Sequence, residues 1–173
     1  MQIQPLETVA TSVGEGPVWD DRSSSLLFVD VAQHKVHRFE TVTGRTTSWH
    51  VGQPVGSLAL RESGDILVSL KEGVFTLDPV TGTLEPFAIA SDMDPGLQLN
   101  DGKTDRRGRF IVGGDDFLHN ATNQIAPLYS LSADASLRIL ETGIGMTNGP
   151  CWSPDDRIFY FSDTSRREIY AYD

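Results

Sequence analysis

Two stretches of the chain are near-copies: VGEGPVWDD at 13–21 and MTNGPCWSPDD at 146–156. Each sets an oxygen-bearing side chain, Glu15 or Asn148, directly before Gly-Pro-x-Trp and an acidic turn. A third, Asn100 in LNDGKTD, falls in the same phase. It precedes Thr104 by four residues, as Glu15 precedes Trp19 and Asn148 precedes Trp152; the equivalent position ahead of Leu60 is Gly56, a gap in the series. One carboxylate with two amide oxygens is a donor set for a hard divalent cation. Ca²⁺ takes oxygen ligands only, Asn carbonyls included, whereas softer or imidazole-seeking metals want Cys or His. The four histidines, His34, His37, His50 and His119, fall outside the phase and read as strand or surface residues. Singly, Glu or Asn before Gly is ordinary turn chemistry; the shared phase is what makes the three a set.

The phase implies a repeat, and a repeat implies elements that bring equivalent positions together. The anchors Trp19, Leu60, Thr104 and Trp152 lie 41, 44 and 48 residues apart. Around each, a short apolar strand ends in a polar turn and a second strand follows: VWDDRSSSLLFVD, LALRESGDILVSL, GKTDRRGRFIVGG and CWSPDDRIFYFSD. This is the hairpin pattern. A third strand comes next, in KVHRFETVTG, GVFTLDPVTG, PLYSLSADAS and EIYAYD, and RTTSWHV and TLEPFAI supply an outer fourth in the first two units. Four strands per 40–50 residues, with no helical periodicity, predict an all-β fold, a β-propeller. The units run over approximately 11–52, 53–95, 96–143 and 144–173, one partial propeller domain over 1–173, about three and a half blades. Because such a count does not close a ring and would expose strand edges, the expectation is a fragment of a longer chain, with a genuine four-blade ring as the alternative. The innermost strand of each blade lines the channel, so Glu15, Asn100 and Asn148 are expected to converge at one mouth of it, just before those strands. Asp115 and Asp116, after IVGG, end the third unit's second strand and are further candidates to lean over that mouth. Asp101 and Lys103 flank the candidate Asn100, with Asp101-Gly102 reading as a turn and Lys103 as an ion pair across the ring; Trp19 and Trp152 read as packing between blades.

Composition bounds the function classes. The net charge of −10 argues against nucleic acid, which requires clustered Lys and Arg; RRGR at 106–109 and the Arg166-Arg167 pair read as solvated turn charges. No apolar run approaches the roughly 20 residues of a membrane span. MQIQPLETVA lacks the pattern of a secretory signal, and the single Cys151 forms no internal disulfide. A cytoplasmic location is therefore expected, with the Asn120-Ala-Thr122 sequon a chance match. No Ser-His-Asp set falls in register, and GIG at 143–145 lacks a phosphate loop's context.

With GEGPVWD, LNDGKTDRRGRF, TNGPCWSPDDRIFYFSDT and APLYSL, the chain resembles the gluconolactonase family that includes regucalcin, or senescence marker protein. The resemblance implies a six-bladed propeller that hydrolyses a sugar lactone, such as an aldonolactone, with one divalent cation in the channel: Ca²⁺ first, with Zn²⁺, Mg²⁺ or Mn²⁺ as alternatives. Carried over by position, Glu15 and Asn148 match metal ligands, and Asn100 matches a residue at the metal or its water and substrate. Gln98 stands where the family often has a substrate-contacting arginine, and Asp115 or Asp116 corresponds to a loop acid at the substrate. The remaining ligand and general base, an aspartate, is expected beyond residue 173. The alternatives are a non-catalytic calcium-binding or scaffold propeller, an inactive truncated form, and the same site acting on a phosphotriester or aryl ester.

Overall fold

The computed structural model describes residues 5–6, 9–116 and 124–173, and among these it has fifteen strands and no helix. His119 and the Asn120 sequon lie outside the described residues. In the first blade, β1 (Gly14–Asp20), β2 (Ser25–Asp30), β3 (Lys35–Glu40) and β4 (Thr46–His50) form an antiparallel meander in sequence order. The second comprises β5 (Ser57–Leu60), β6 (Ile66–Leu70), β7 (Gly73–Leu77) and β8 (Leu84–Ile89). The third comprises β9 (Gln98–Thr104), β10 (Phe110–Asp115), β11 (Ala126–Leu131) and β12 (Leu137–Ile144). The fourth has three strands, β13 (Thr147–Trp152), β14 (Phe159–Asp163) and β15 (Glu168–Tyr172). These are four blades in a propeller arrangement, as the repeat predicted. Among the described residues no helix is long and apolar enough to cross a membrane.

The period-2 geometry of strands explains the stacking. On β6, Ile66, Val68 and Leu70 pack with Leu27, Val29 and Val36 of blade one, while Leu67, on the opposite face, packs with Leu99, Phe110 and Val112 of blade three. Buried on both faces, this strand is an almost continuous apolar run, ILVSL. Its one polar residue, Ser69, shares the face of Leu67. Between blades three and four, Leu97, Ile111 and Leu128 pack with Phe161, and Trp152 lies tilted on Phe159 with ring centroids 5.2 Å apart. Trp152 thus packs between blades as expected. Trp19 does not: it is 48% exposed and its indole N–H donates to Asp21 at 2.6 Å.

The arginines read as solvated turn charges also bind other segments. Arg106 reaches from blade three to donate to the Pro154 carbonyl of blade four at 2.8 Å. Arg166 donates to the Gly143 carbonyl at 3.1 Å, and Arg109 pairs with the buried Asp105 at 2.6 Å. A guanidinium carries several donors in a fixed fork, so a turn arginine can stay half in water and still staple a neighbouring blade.

Candidate metal and substrate site

The inner strands β1, β5, β9 and β13 stand side by side, β1 against β5, β5 against β9 and β9 against β13. Three of them are broken at the same place. The pairing of β1 with β2 shifts between Glu15 and Val18, and that of β13 with β14 shifts between Asn148 and Cys151. On β9 the shift falls between Leu99 and Gly102, around Asn100. Such β-bulges set two residues against one and re-aim a side chain, and they are frequent beside active sites. The candidates therefore sit inside the inner strands at bulges, not just ahead of the strands as expected. In blades one and four the residue after the candidate, Gly16 or Gly149, has φ of +56° or +62°, which glycine adopts without the Cβ penalty. Asp101-Gly102, expected to be a turn, continues β9.

All three candidates border one cavity of about 520 Å³, together with Gln98, Asp101, Asp115, Gly56 and His34. The size is that of a small-molecule site. Glu15 enters from blade one and is exposed; Asn100 and Asn148 are half-buried. The two amides come within 3.5 Å of each other, Asn100 Nδ2 to Asn148 Oδ1. Their nitrogen ends are engaged elsewhere: Asn100 Nδ2 donates to the Thr147 carbonyl at 2.9 Å and Asn148 Nδ2 to Thr164 Oγ1 at 2.8 Å. With the nitrogens so held, the amide oxygens are the atoms offered to a cation, although Asn148 Oδ1 also accepts the long bond from Asn100 Nδ2. A second cavity of about 260 Å³ borders Glu15 and Asp101 as well, and runs along Lys103, Gly149 and Cys151.

Gly56 is not a lost ligand. A Cβ there would lie 2.5 Å from the carbonyl oxygens of Leu99 and Asn100 and 2.6 Å from the Asn100 Cα, so glycine lets β9 approach. The Asn100 carbonyl then accepts from Ser57 Oγ at 2.8 Å and Ser69 Oγ at 3.2 Å. Blade two contributes no donor to the cavity at this position; it grips the backbone of the residue that does.

Gln98 and Asp115 face each other across β9 and β10, and Gln98 Nε2 donates to Asp115 Oδ2 at 3.1 Å. Both border the cavity. Asp116 is fully buried, its N–H donates to the Gly145 carbonyl at 3.0 Å, and it is not among the residues bordering the cavity. Two neighbours at the cavity stand outside the ligand set expected from the sequence. Asp101 accepts from Gly102 N at 2.8 Å and from Gly149 N at 2.7 Å. Burial pushes its carboxyl above the ordinary value, with those two N–H groups and Lys103 opposing. His34, read as a surface or strand histidine, borders the cavity from the β2–β3 turn with φ of +56°; its place outside the repeat phase hid it.

Among the described residues no three His, Cys, Asp or Glu side chains gather as a metal cluster. A cation here would rest on amide oxygens as much as on carboxylate, and the Glu-Asn-Asn donor set suits a hard ion of the Ca²⁺ kind.

Residues 13–173 match the family described as SMP-30/Gluconolactonase/LRE-like region. The chain belongs to this family. It is 32% identical to regucalcin of Danio rerio over 161 residues, covering 93% of this chain and 54% of that protein. Its fold superposes on the crystal structure of a calcium-binding protein, regucalcin, from Agrobacterium tumefaciens with a TM-score of 0.86 at 25% identity, covering 96% of this chain and 55% of the other. A gluconolactonase of Xanthomonas campestris shares the fold at a TM-score of 0.75 and 20% identity, covering 96% of this chain and 59% of that one. The chain spans about half the length of the curated relatives it matches.

Proposed function

We propose that this chain carries most of the active site of a divalent-cation-dependent sugar-lactone hydrolase, acting on an aldonolactone. The observation that carries this reading is that Glu15, Asn100 and Asn148, from three blades, border one cavity, each at a bulge of its inner strand. In this reading those three side chains hold the cation, with Ca²⁺ the best fit to an all-oxygen set. Bound there, the ion would supply Lewis-acid polarisation of a carbonyl oxygen. The chain's own residues do the rest of the positioning. Thr164 and the Thr147 carbonyl hold the amide nitrogens, so that the amide oxygens would be the atoms offered to the ion. The Gln98–Asp115 pair presents both donors and acceptors along one wall, which suits the hydroxyls of a neutral sugar ring. The carboxylate that takes the proton from the attacking water comes, in this reading, from outside residues 1–173.

The test is hydrolysis of a panel of aldonolactones by the full-length protein, before and after EDTA and on adding back Ca²⁺, Zn²⁺, Mg²⁺ or Mn²⁺. Activity is expected to vanish with the chelator and return with a cation, and Glu15→Gln is expected to lower kcat/KM at least 100-fold. Rates indifferent to EDTA, or none on any lactone, would refute the proposal. The description of the Agrobacterium regucalcin as a calcium-binding protein favours a second reading, cation binding without turnover. Calorimetry separates the two: that reading requires Ca²⁺ binding that Glu15→Gln abolishes, in a protein that turns over none of the lactones.

A further inference from the structure

The internal repeat exposes one exception at the site. The residue following each candidate is glycine in blades one and four, Gly16 and Gly149, but aspartate in blade three, Asp101. Gly149 is glycine for its backbone conformation alone, since a Cβ there would meet nothing within 4 Å. Its N–H is taken by Asp101 Oδ2 at 2.7 Å, across the blade boundary, while Oδ1 accepts from Gly102 N at 2.8 Å. The bond to Gly149 is consequential because that N–H lies in the same rigid peptide plane as the carbonyl of Asn148. Fixing the plane fixes ψ of Asn148, and with it the direction in which the Asn148 side chain leaves the strand. The bond to Gly102 anchors the carboxylate to its own strand inside the β9 bulge. One side chain therefore ties the bulge that presents Asn100 to the bulge that presents Asn148.

We infer that Asp101 is a positioning residue for the cation site: its carboxylate locks the β9 and β13 bulges together and sets the entry direction of Asn148. The inference rests on the reading of Glu15, Asn100 and Asn148 as cation ligands. Asp101 acts through Gly149 and needs no contact with cation or substrate. Removing it leaves two N–H groups without their acceptor and lets the Asn148–Gly149 peptide rotate. Supporting groups of this kind typically change metal affinity 10–100-fold.

The experiment compares the full-length wild type with Asp101→Asn, whose amide presents one acceptor and one donor to the two N–H groups, and with Asp101→Ser should the first fail to fold. Three quantities are read: amide hydrogen exchange at Gly149, the side-chain amide NMR resonances of Asn148, and Ca²⁺ affinity by calorimetry with the metal alone. The inference expects exchange at Gly149 to speed at least tenfold, the Asn148 resonances to move, and Ca²⁺ to bind at least tenfold more weakly. On lactone, the loss is expected in kcat at saturating Ca²⁺ rather than in KM. A variant with a lower Tm but unchanged Gly149 exchange, Asn148 resonances or Ca²⁺ affinity shows a merely structural role and overturns the inference. A wild type that binds no Ca²⁺ sinks the metal reading instead, and the positioning role is then decided by the Gly149 and Asn148 signals alone.

Discussion

Gly56→Ala is a demanding test of how the site is held, because backbone conformation and space make opposite forecasts there. Gly56 is not among the residues with positive φ, so alanine's own preferences give no reason for a large penalty. Space gives one: the added methyl would sit 2.5 Å from two carbonyl oxygens and 2.6 Å from the Asn100 Cα. These are backbone atoms, and no side-chain rotation relieves the clash. Strands β5 and β9 must separate, at about 1–3 kcal/mol for overpacking. Separation also stretches the Ser57 and Ser69 hydroxyl bonds to the Asn100 carbonyl, worth about 0.5–1.5 kcal/mol each. The sum, about 2–6 kcal/mol, is a large share of the about 5–15 kcal/mol by which domains are stable. Urea unfolding of the full-length protein reads it as a lower midpoint at unchanged slope. Gly64→Ala is the control with the opposite cause: φ is +98° and a Cβ would meet nothing, so it should cost only about 1–2 kcal/mol of backbone strain. Calcium affinity should fall in Gly56→Ala and hold in Gly64→Ala. A Gly56→Ala protein within about 1 kcal/mol of wild type would show that β9 does not depend on this approach and would refute the account of how Asn100 is placed.

Three further outcomes are expected. Burial holds the His37 imidazole below its ordinary pKa, the Asp30 charge opposing and Lys35 adding to the effect, so the unfolded chain binds a proton more readily than the folded one. This contribution to stability is then complete above about pH 6.5 and declines as the pH falls from there toward the folded value; in Tm measured against pH, His37→Gln should flatten the slope below about pH 6.5, and superimposable slopes would contradict this. Asp163, fully buried, accepts from the N–H groups of Gly145, Met146, Ser165 and Arg166 at 2.9–3.3 Å; Asp163→Ala strands four donors and should cost about 3 kcal/mol or more in urea unfolding. Thr164→Val keeps the shape but frees Asn148 Nδ2, so Ca²⁺ binding should weaken at least several-fold while Tm moves little, and unchanged affinity would deny Thr164 its orienting part.

What could be read from residue order follows from the range of the interactions. The blade period was legible because turn chemistry and strand alternation act within a few residues, and each unit repeats them. The common phase of Glu15, Asn100 and Asn148 was legible for the same reason. The bulges carried a local sign too: Pro17 and Pro150 lie inside β1 and β13, and proline is tolerated within a sheet chiefly at edges and bulges. No such sign marks the bulge of β9, which has Asp101-Gly102 in that place. The role of Gly56 depends on the backbone of Leu99 and Asn100, far downstream, so a missing side chain and an excluded one look alike in the sequence. The same holds for Asp101, whose decisive partner is 48 residues away, and for His34, which a turn outside the phase carries to the cavity. In a repeat fold the shared positions build the blades, and every blade needs them. A site at the axis needs something different from each blade: a carboxylate from one, a close approach from the next, a cross-link from the third. Its machinery is therefore concentrated where the copies disagree, at Gly56 against Glu15 and at Asp101 against the two glycines, and those disagreements are the positions whose substitution should separate chemistry from stability.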